Sequence, residues 1–155
     1  MSTILETITQ FFQEDDWNVE LVEDESYLRW GFKGEYGRWT CIAQAMQERE
    51  QAIFYSVLPS VVPQERRSAV SEFITRANYG LLSGNFEMDW SDGEVRYKTM
   101  LDVEGGVLTV MMVRNLVHAN LFTVDRYFNG LMNVIYSDKS PALAVAESEN
   151  PEAIH

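Results

Sequence analysis

The sequence predicts an α+β fold, one antiparallel sheet of about six strands with helices packed on it, in the order α-ββββ-α-ββ-α. Three observations carry this. Segments with apolar residues at helical spacing stand at the start, in the middle and near the end of the chain. Between them lie short stretches rich in aromatic and β-branched residues, joined by connectors too short for parallel crossovers. The length of 155 residues fits one domain with a sizeable core, and the single cysteine, Cys41, leaves no internal disulfide to staple it.

The first helix is predicted over residues 3–14, where Ile4, Leu5, Ile8, Phe11 and Phe12 form a stripe. Thr3 and Glu6 make a capping box, each satisfying an orphan amide of the first turn. Strands follow at Trp17–Val22, Tyr27–Phe32, Tyr36–Met46 and Ala52–Leu58, with turns at Glu23–Ser26, Lys33–Glu35 and Gln47–Gln51. Pro63 opens a second helix whose buried stripe is Ala69, Val70, Phe73, Ile74 and Ala77, ended by Gly80. A hairpin comes next. With Asp92-Gly93 as a two-residue type I′ turn, Trp90 faces Val95, Asp89 faces Arg96, Met88 faces Tyr97 and Glu87 faces Lys98.

The last long helix is marked by Val110, Val113, Val117, Leu121, Val124, Phe128, Leu131 and Ile135, spaced by three or four. At nearly 30 residues it would be about 45 Å long, so it either bends near Ala119 and Asn120 or projects into a partner. Ser140 and Pro141 start a short terminal helix reaching Glu147. Residues 1–137 thus form the domain, and 138–155 a short helix with a disordered acidic tail.

The strands place apolar residues on both faces, Leu28, Trp30, Trp39 and Cys41 on one side and Tyr27, Ile42, Met46 and Phe54 among those that break the alternation. Either both faces are covered or one meets another subunit. Trp30, Trp39, Phe54 and Phe128 are the candidate interaction surface, and a homodimer is the expected state.

Twelve Lys and Arg against 24 Asp and Glu give a net charge of −12. The charge is concentrated at the ends: residues 1–28 hold eight acids and no Lys or Arg, whereas 29–136 hold twelve acids and eleven bases. Such a field repels phosphate backbones, which makes nucleic acid a poor partner. No apolar run is long enough to span a bilayer and no basic leader precedes an apolar segment, so membrane insertion is not expected and the expected compartment is the cytoplasm.

Candidate chemistry is sparse. His118, with Arg114 four residues before and Asp125 seven after, could line one side of the last helix, as a base oriented by a carboxylate would. No nucleophile or metal partner accompanies it. Cys41 reads as a small core residue. Gly105-Gly106 lacks the Lys and Ser/Thr of a phosphate loop and reads as a turn needing positive φ. Glu87, Asp89, Asp92 and Glu94 lack calcium-hand spacing and have Arg96 and Lys98 to pair with. Aromatic residues on the strands, Tyr27 and Tyr55 among them, lack the basic groove that base stacking requires. No catalytic, cofactor or metal residues are therefore assigned, and the chain is not expected to be an enzyme. The alternative is a small-molecule sensor or enzyme with a pocket between the sheet and the last helix, using His118, Asp125 or the hairpin carboxylates.

The element order resembles the YbjN-like family of bacterial sensory-transduction regulators. So do Asn78 near the end of the second helix, the runs Gly84-Asn85-Phe86-Glu87 with Asp89 and Asp92-Gly93-Glu94-Val95 with Tyr97, and Thr123-Val124-Asp125-Arg126-Tyr127 with Ser140, Pro141 and Ala144. The resemblance spans residues 1–148. It implies a fold similar to class I type III secretion chaperones, commonly paired as dimers, and a regulatory role of binding a client or regulatory protein, without catalytic residues.

Overall fold

The computed structural model describes residues 3–17, 20–22 and 27–150. The expected strand positions 18–19, the turn at 23–26 and the tail from 151 onward lie outside the described residues. Helix α1 spans Ile4–Glu14 and has the capping box expected of Thr3 and Glu6, with Ile4, Ile8, Phe11 and Phe12 buried. Strands β1 (Glu20–Val22), β2 (Tyr27–Lys33), β3 (Arg38–Met46) and β4 (Gln51–Val57) follow, then α2 (Arg67–Asn78), β5 (Asn85–Met88), β6 (Val95–Asp102), α3 (Val110–Tyr136) and α4 (Pro141–Glu149). The six strands form one sheet in the order β1-β2-β3-β4-β6-β5, every neighbouring pair antiparallel.

Burial alternates along the strands with period two, as a half-covered sheet requires. Leu28, Trp30, Trp39, Cys41, Ala43, Phe54, Ser56 and Tyr97 point to the buried side. Against that side lie α1, α3 and α2, and α4 closes over α2 and α3. Helix α3 is one uninterrupted α-helix, about 40 Å long at 1.5 Å per residue. It neither breaks at Asn120 nor projects: its buried residues run from Val113 to Ile135, so the sheet and the helices beside it take its whole length.

Asn120, expected at a bend, is instead the polar anchor of the core and is fully buried. Its amide nitrogen donates to the Phe54 carbonyl of β4 at 3.0 Å and the Tyr97 carbonyl of β6 at 3.3 Å. Its oxygen accepts from the Ser56 hydroxyl at 2.6 Å, and Ser56 in turn accepts from the Trp39 indole at 2.9 Å. Thr99 completes the set, accepting from the Asn120 amide and donating to the Leu116 carbonyl. Because each buried polar group has its partner, the network locks one position of α3 on the sheet instead of costing stability.

Three expectations need correction. Pro63 does not start the α-helix; it precedes a 3-10 turn at Gln64–Arg66, and α2 begins at Arg67. The β5–β6 register differs by two residues from the expected one: Phe86 faces Tyr97, Glu87 faces Arg96 and Met88 faces Val95. A shift of two keeps every side chain on its face, so apolar matching cannot exclude it, and the loop chemistry decides. The loop spans residues 90–93, with Gly93 donating to the Asp89 carbonyl and Asp89 accepting from the Ser91 amide and hydroxyl. Only Gly93 (φ +83°) has positive φ there, whereas a type I′ turn needs two such residues. The terminal segment is the third case. Helix α4 reaches Glu149, beyond the expected Glu147, and Ala144 and Val145 belong to the core. Arg126 donates to the carbonyls of Ser148 and Glu149, and the Tyr127 hydroxyl donates to the Glu149 carboxylate.

Candidate protein-binding surface

The four residues expected to form an interaction surface are all core. Trp39 and Phe54 are 3% and 1% exposed, and Trp30 and Phe128 each 8%. Trp39 stacks on Phe128 at 5.7 Å, Trp30 packs on Phe54 at 5.4 Å and on Phe12 at 4.6 Å. Their side of the sheet is the one the helices cover, so they hold the two layers together and present nothing to a partner. The fit is close enough that a Cβ on Gly37 would sit 2.2 Å from the Phe128 ring.

The other constellations are likewise not brought together as chemistry. His118 is half-exposed on α3, with its Nε2 4.0 Å from Asp15 of α1 and its ring edge-on to Phe11. Asp125, the expected orienting carboxylate, accepts from the Glu35 and Tyr36 amides at 2.9 and 3.0 Å and buckles the β2–β3 loop to α3. Glu87 pairs with both Arg96 and Lys98. Hydrogen bonds from Ser91 hold the Asp89 carboxyl below its ordinary range, consistent with a turn role. Cys41 is buried against Ser56, and burial pushes its thiol up to about 12, the reverse of an activated nucleophile. Gly105 has positive φ (+79°) and Thr109 caps α3 after it. Among the described residues no three His, Cys, Asp or Glu side chains gather as metal ligands.

Between the sheet and α3 lie the aromatic layer and the Asn120 network. A shallow groove of about 440 Å³ lies between α2 and α4, lined in part by Thr75, Tyr79, Val145 and Glu149.

The surface that remains is the outer face of the sheet, where no helix packs among the described residues. Register places Tyr27, Gln44, Ile53 and Met100 in one row across β2, β3, β4 and β6, and Arg29, Ile42, Tyr55 and Lys98 in the next. Gly31, Thr40, Val57 and Arg96 form a third. Ile53 reaches only 9% exposure from its neighbours' side chains, and Arg96 lies 4.4 Å over the Tyr55 ring. The centre is thus apolar and aromatic with guanidinium and ammonium groups set into it. Sequence reasoning named Tyr27 and Ile42 as apolar surface on the second face but sought the partner surface among the larger aromatics. The readable signal was that Arg29, Lys33, Arg38, Arg96 and Lys98 share one strand parity.

Geometry therefore defines an α+β fold, the class expected from the sequence, with one side of a six-stranded antiparallel sheet covered by helices and the other free of them among the described residues. The family model described as "Putative bacterial sensory transduction regulator" matches residues 5–132, and the chain belongs to this YbjN family. Similar solved structures include YbjN from E. coli, 12% identical with a TM-score of 0.58, covering 81% of this chain and 91% of that one. A chain of the ExsC–ExsE complex is 14% identical with a TM-score of 0.51, covering 79% and 91%. A chain of the HopA1–SchA chaperone–effector complex is 13% identical with a TM-score of 0.49, covering 77% and 88%. No curated protein matches the sequence. No helix among the described residues is long and apolar enough to cross a membrane.

Proposed function

We propose that the chain is a non-enzymatic protein-binding module, a chaperone-like or sensory-transduction regulator that works in the cytoplasm as a homodimer and holds a segment of a client protein. The observation that carries this reading is the outer sheet face, whose Tyr27, Ile42, Ile53, Tyr55 and Met100 form an apolar stripe that no helix covers among the described residues. Apolar stripes on otherwise polar surfaces mark sites that exclude water against a partner. A packed interior with a raised thiol and turn-bound carboxylates supports binding over catalysis. Family membership and the chaperone-like fold support the same class.

The test is direct. In-cell cross-linking followed by mass spectrometry should recover one reproducible client linked to β2–β4, and the purified pair should form a complex of fixed stoichiometry. Clients that change between replicates would defeat the reading. Light scattering across a dilution series should give twice 17.9 kDa at micromolar concentration; a constant mass near 17.9 kDa would remove the dimer from the proposal.

A further inference from the structure

We infer that the helix-free sheet face is selective for acidic segments, and that its partner is a protein stretch in which carboxylates alternate with apolar side chains; this rests on the protein-binding reading above. The basis is charge segregation. Five of the chain's twelve bases, Arg29, Lys33, Arg38, Arg96 and Lys98, stand on this one face. Three acidic positions fall on it by register: Glu87, Asp102 and position 20, paired with Arg29. Among the described strand positions, bases therefore outnumber acids by two on this face, in a chain whose net charge is −12. Residues 29–136, which supply nearly all of the face, hold twelve acids and eleven bases, so even placement would leave it near neutral.

A second observation says the surplus is not there for the fold. Lys33 and Arg38 are direct cross-strand partners on β2 and β3, both exposed, and neither makes a salt bridge among the described residues. Like charges directly opposite oppose strand pairing, and an Asp or Glu at either position would help it. On the other flank Glu87 pairs with both Arg96 and Lys98, and Glu94 and Asp89 also act on Arg96 through space, so the unbalanced positive charge is at the Lys33–Arg38 end. Between the flanks the stripe is apolar. A phosphate backbone would leave Ile42, Ile53 and Val57 unmatched, whereas a peptide alternating acidic and apolar residues matches both features at the strand period.

The experiment uses the full chain and three fluorescein-labelled 16-residue peptides in which Leu and Val alternate with Glu, with Gln or with Lys, followed by anisotropy. A dT15 oligonucleotide is titrated alongside. The Glu peptide is expected to bind about tenfold tighter than the Gln peptide in about 50 mM salt, and to lose most of that advantage in about 300 mM. Arg38→Glu should weaken the Glu peptide several-fold while leaving the melting temperature unchanged or higher, because it creates an opposite-charge pair with Lys33. Arg29→Gln provides a second variant without charge reversal. Equal affinity for the Glu and Gln peptides, or indifference to both variants, overturns the charge selectivity and leaves protein binding standing. Tighter binding of dT15 than of the Glu peptide overturns it in favour of a phosphate-reading face. Failure of all three peptides to bind takes the protein-binding reading down with it.

Discussion

Replacing Asn120 with Ala tests whether one buried amide sets the position of α3 on the sheet. The substitution removes the acceptor of the Ser56 hydroxyl and the donors to the Phe54 and Tyr97 carbonyls. An orphaned buried hydroxyl costs about 1–3 kcal/mol, and each lost hydrogen bond about 0.5–1.5 kcal/mol. The two carbonyls belong to strand residues that retain their ladder partners, which puts the expected loss near 2–4 kcal/mol, or about 5–15 °C in melting temperature for a domain of this size. Ser56→Ala should cost a similar amount, since it strands the Trp39 indole as well as the Asn120 oxygen. The informative quantity is the coupling. Removing both members leaves fewer orphans than the single changes together imply, so the double variant should be less destabilised than their sum by about 1 kcal/mol or more. Urea denaturation of the four proteins at constant m-value measures it. Additivity within about 0.3 kcal/mol, or an Asn120→Ala cost below about 1 kcal/mol, would refute the network as the anchor.

Gly93→Val should destabilise by more than about 2 kcal/mol, because positive φ alone costs about 1–2 kcal/mol for a side-chain-bearing residue and the Cβ would also meet the Val62 carbonyl oxygen; a urea midpoint equal to the wild type would show that the loop does not pack there. Ending the chain before Ser148 should lower stability by about 1 kcal/mol, since the buried Tyr127 loses the Glu149 acceptor and Arg126 loses two carbonyls, while ending it after Asn150 should preserve these contacts. Cys41 should resist a disulfide reagent at about pH 8 on the native protein, with only about one thiol in ten thousand ionised, and react at once in denaturant. The Asp89 carboxyl is lowered in the folded state by Ser91, so its contribution is present above the ordinary aspartate value of about 3.9 and lost as pH falls through the lowered one. Asp89→Ala should flatten that acid limb of the urea midpoint, and a wild-type slope in the variant would exclude the assignment.

Much of this frame was legible because it depends on local signals. The Thr3–Glu6 box, the Ser140 cap and the stripe of α3 each rest on residues within a turn or two of one another. What was not legible depends on distance in space. Trp30, Trp39, Phe54 and Phe128 look like surplus apolar area until α1 and α3 are laid over them, and periodicity does not say which face of a sheet a helix will choose. Asn120 reads as a weak point in an apolar stripe, yet its value lies in carbonyls 66 and 23 residues away. The two-residue register error has the same root, because a period of two leaves shifts of two undecided until the loop is known.

Three of the residues that carry the family likeness, Asn78, Asp125 and Ser140, hold distant parts of the fold together. Asn78 clamps both the amide and the carbonyl of Phe86, at 2.7 and 3.0 Å, and so docks β5 to the end of α2. Asp125 closes the β2–β3 loop onto α3 across a sequence separation of about ninety residues, and Ser140 starts the helix that covers α2 and α3. A few such buckles fix long-range geometry, and a period-two pattern of apolar residues fills what lies between them. Neither constrains the outer parity of the strands. Substitutions on that face, away from buried groups, typically move stability by no more than about 0.5 kcal/mol. Its charge and apolar content can therefore be rewritten for a new partner while the frame stays as it is. Under the proposed charge selectivity, the Lys33–Arg38 pair is where binding outweighs strand pairing, since a stability requirement alone would have placed opposite charges at those two positions.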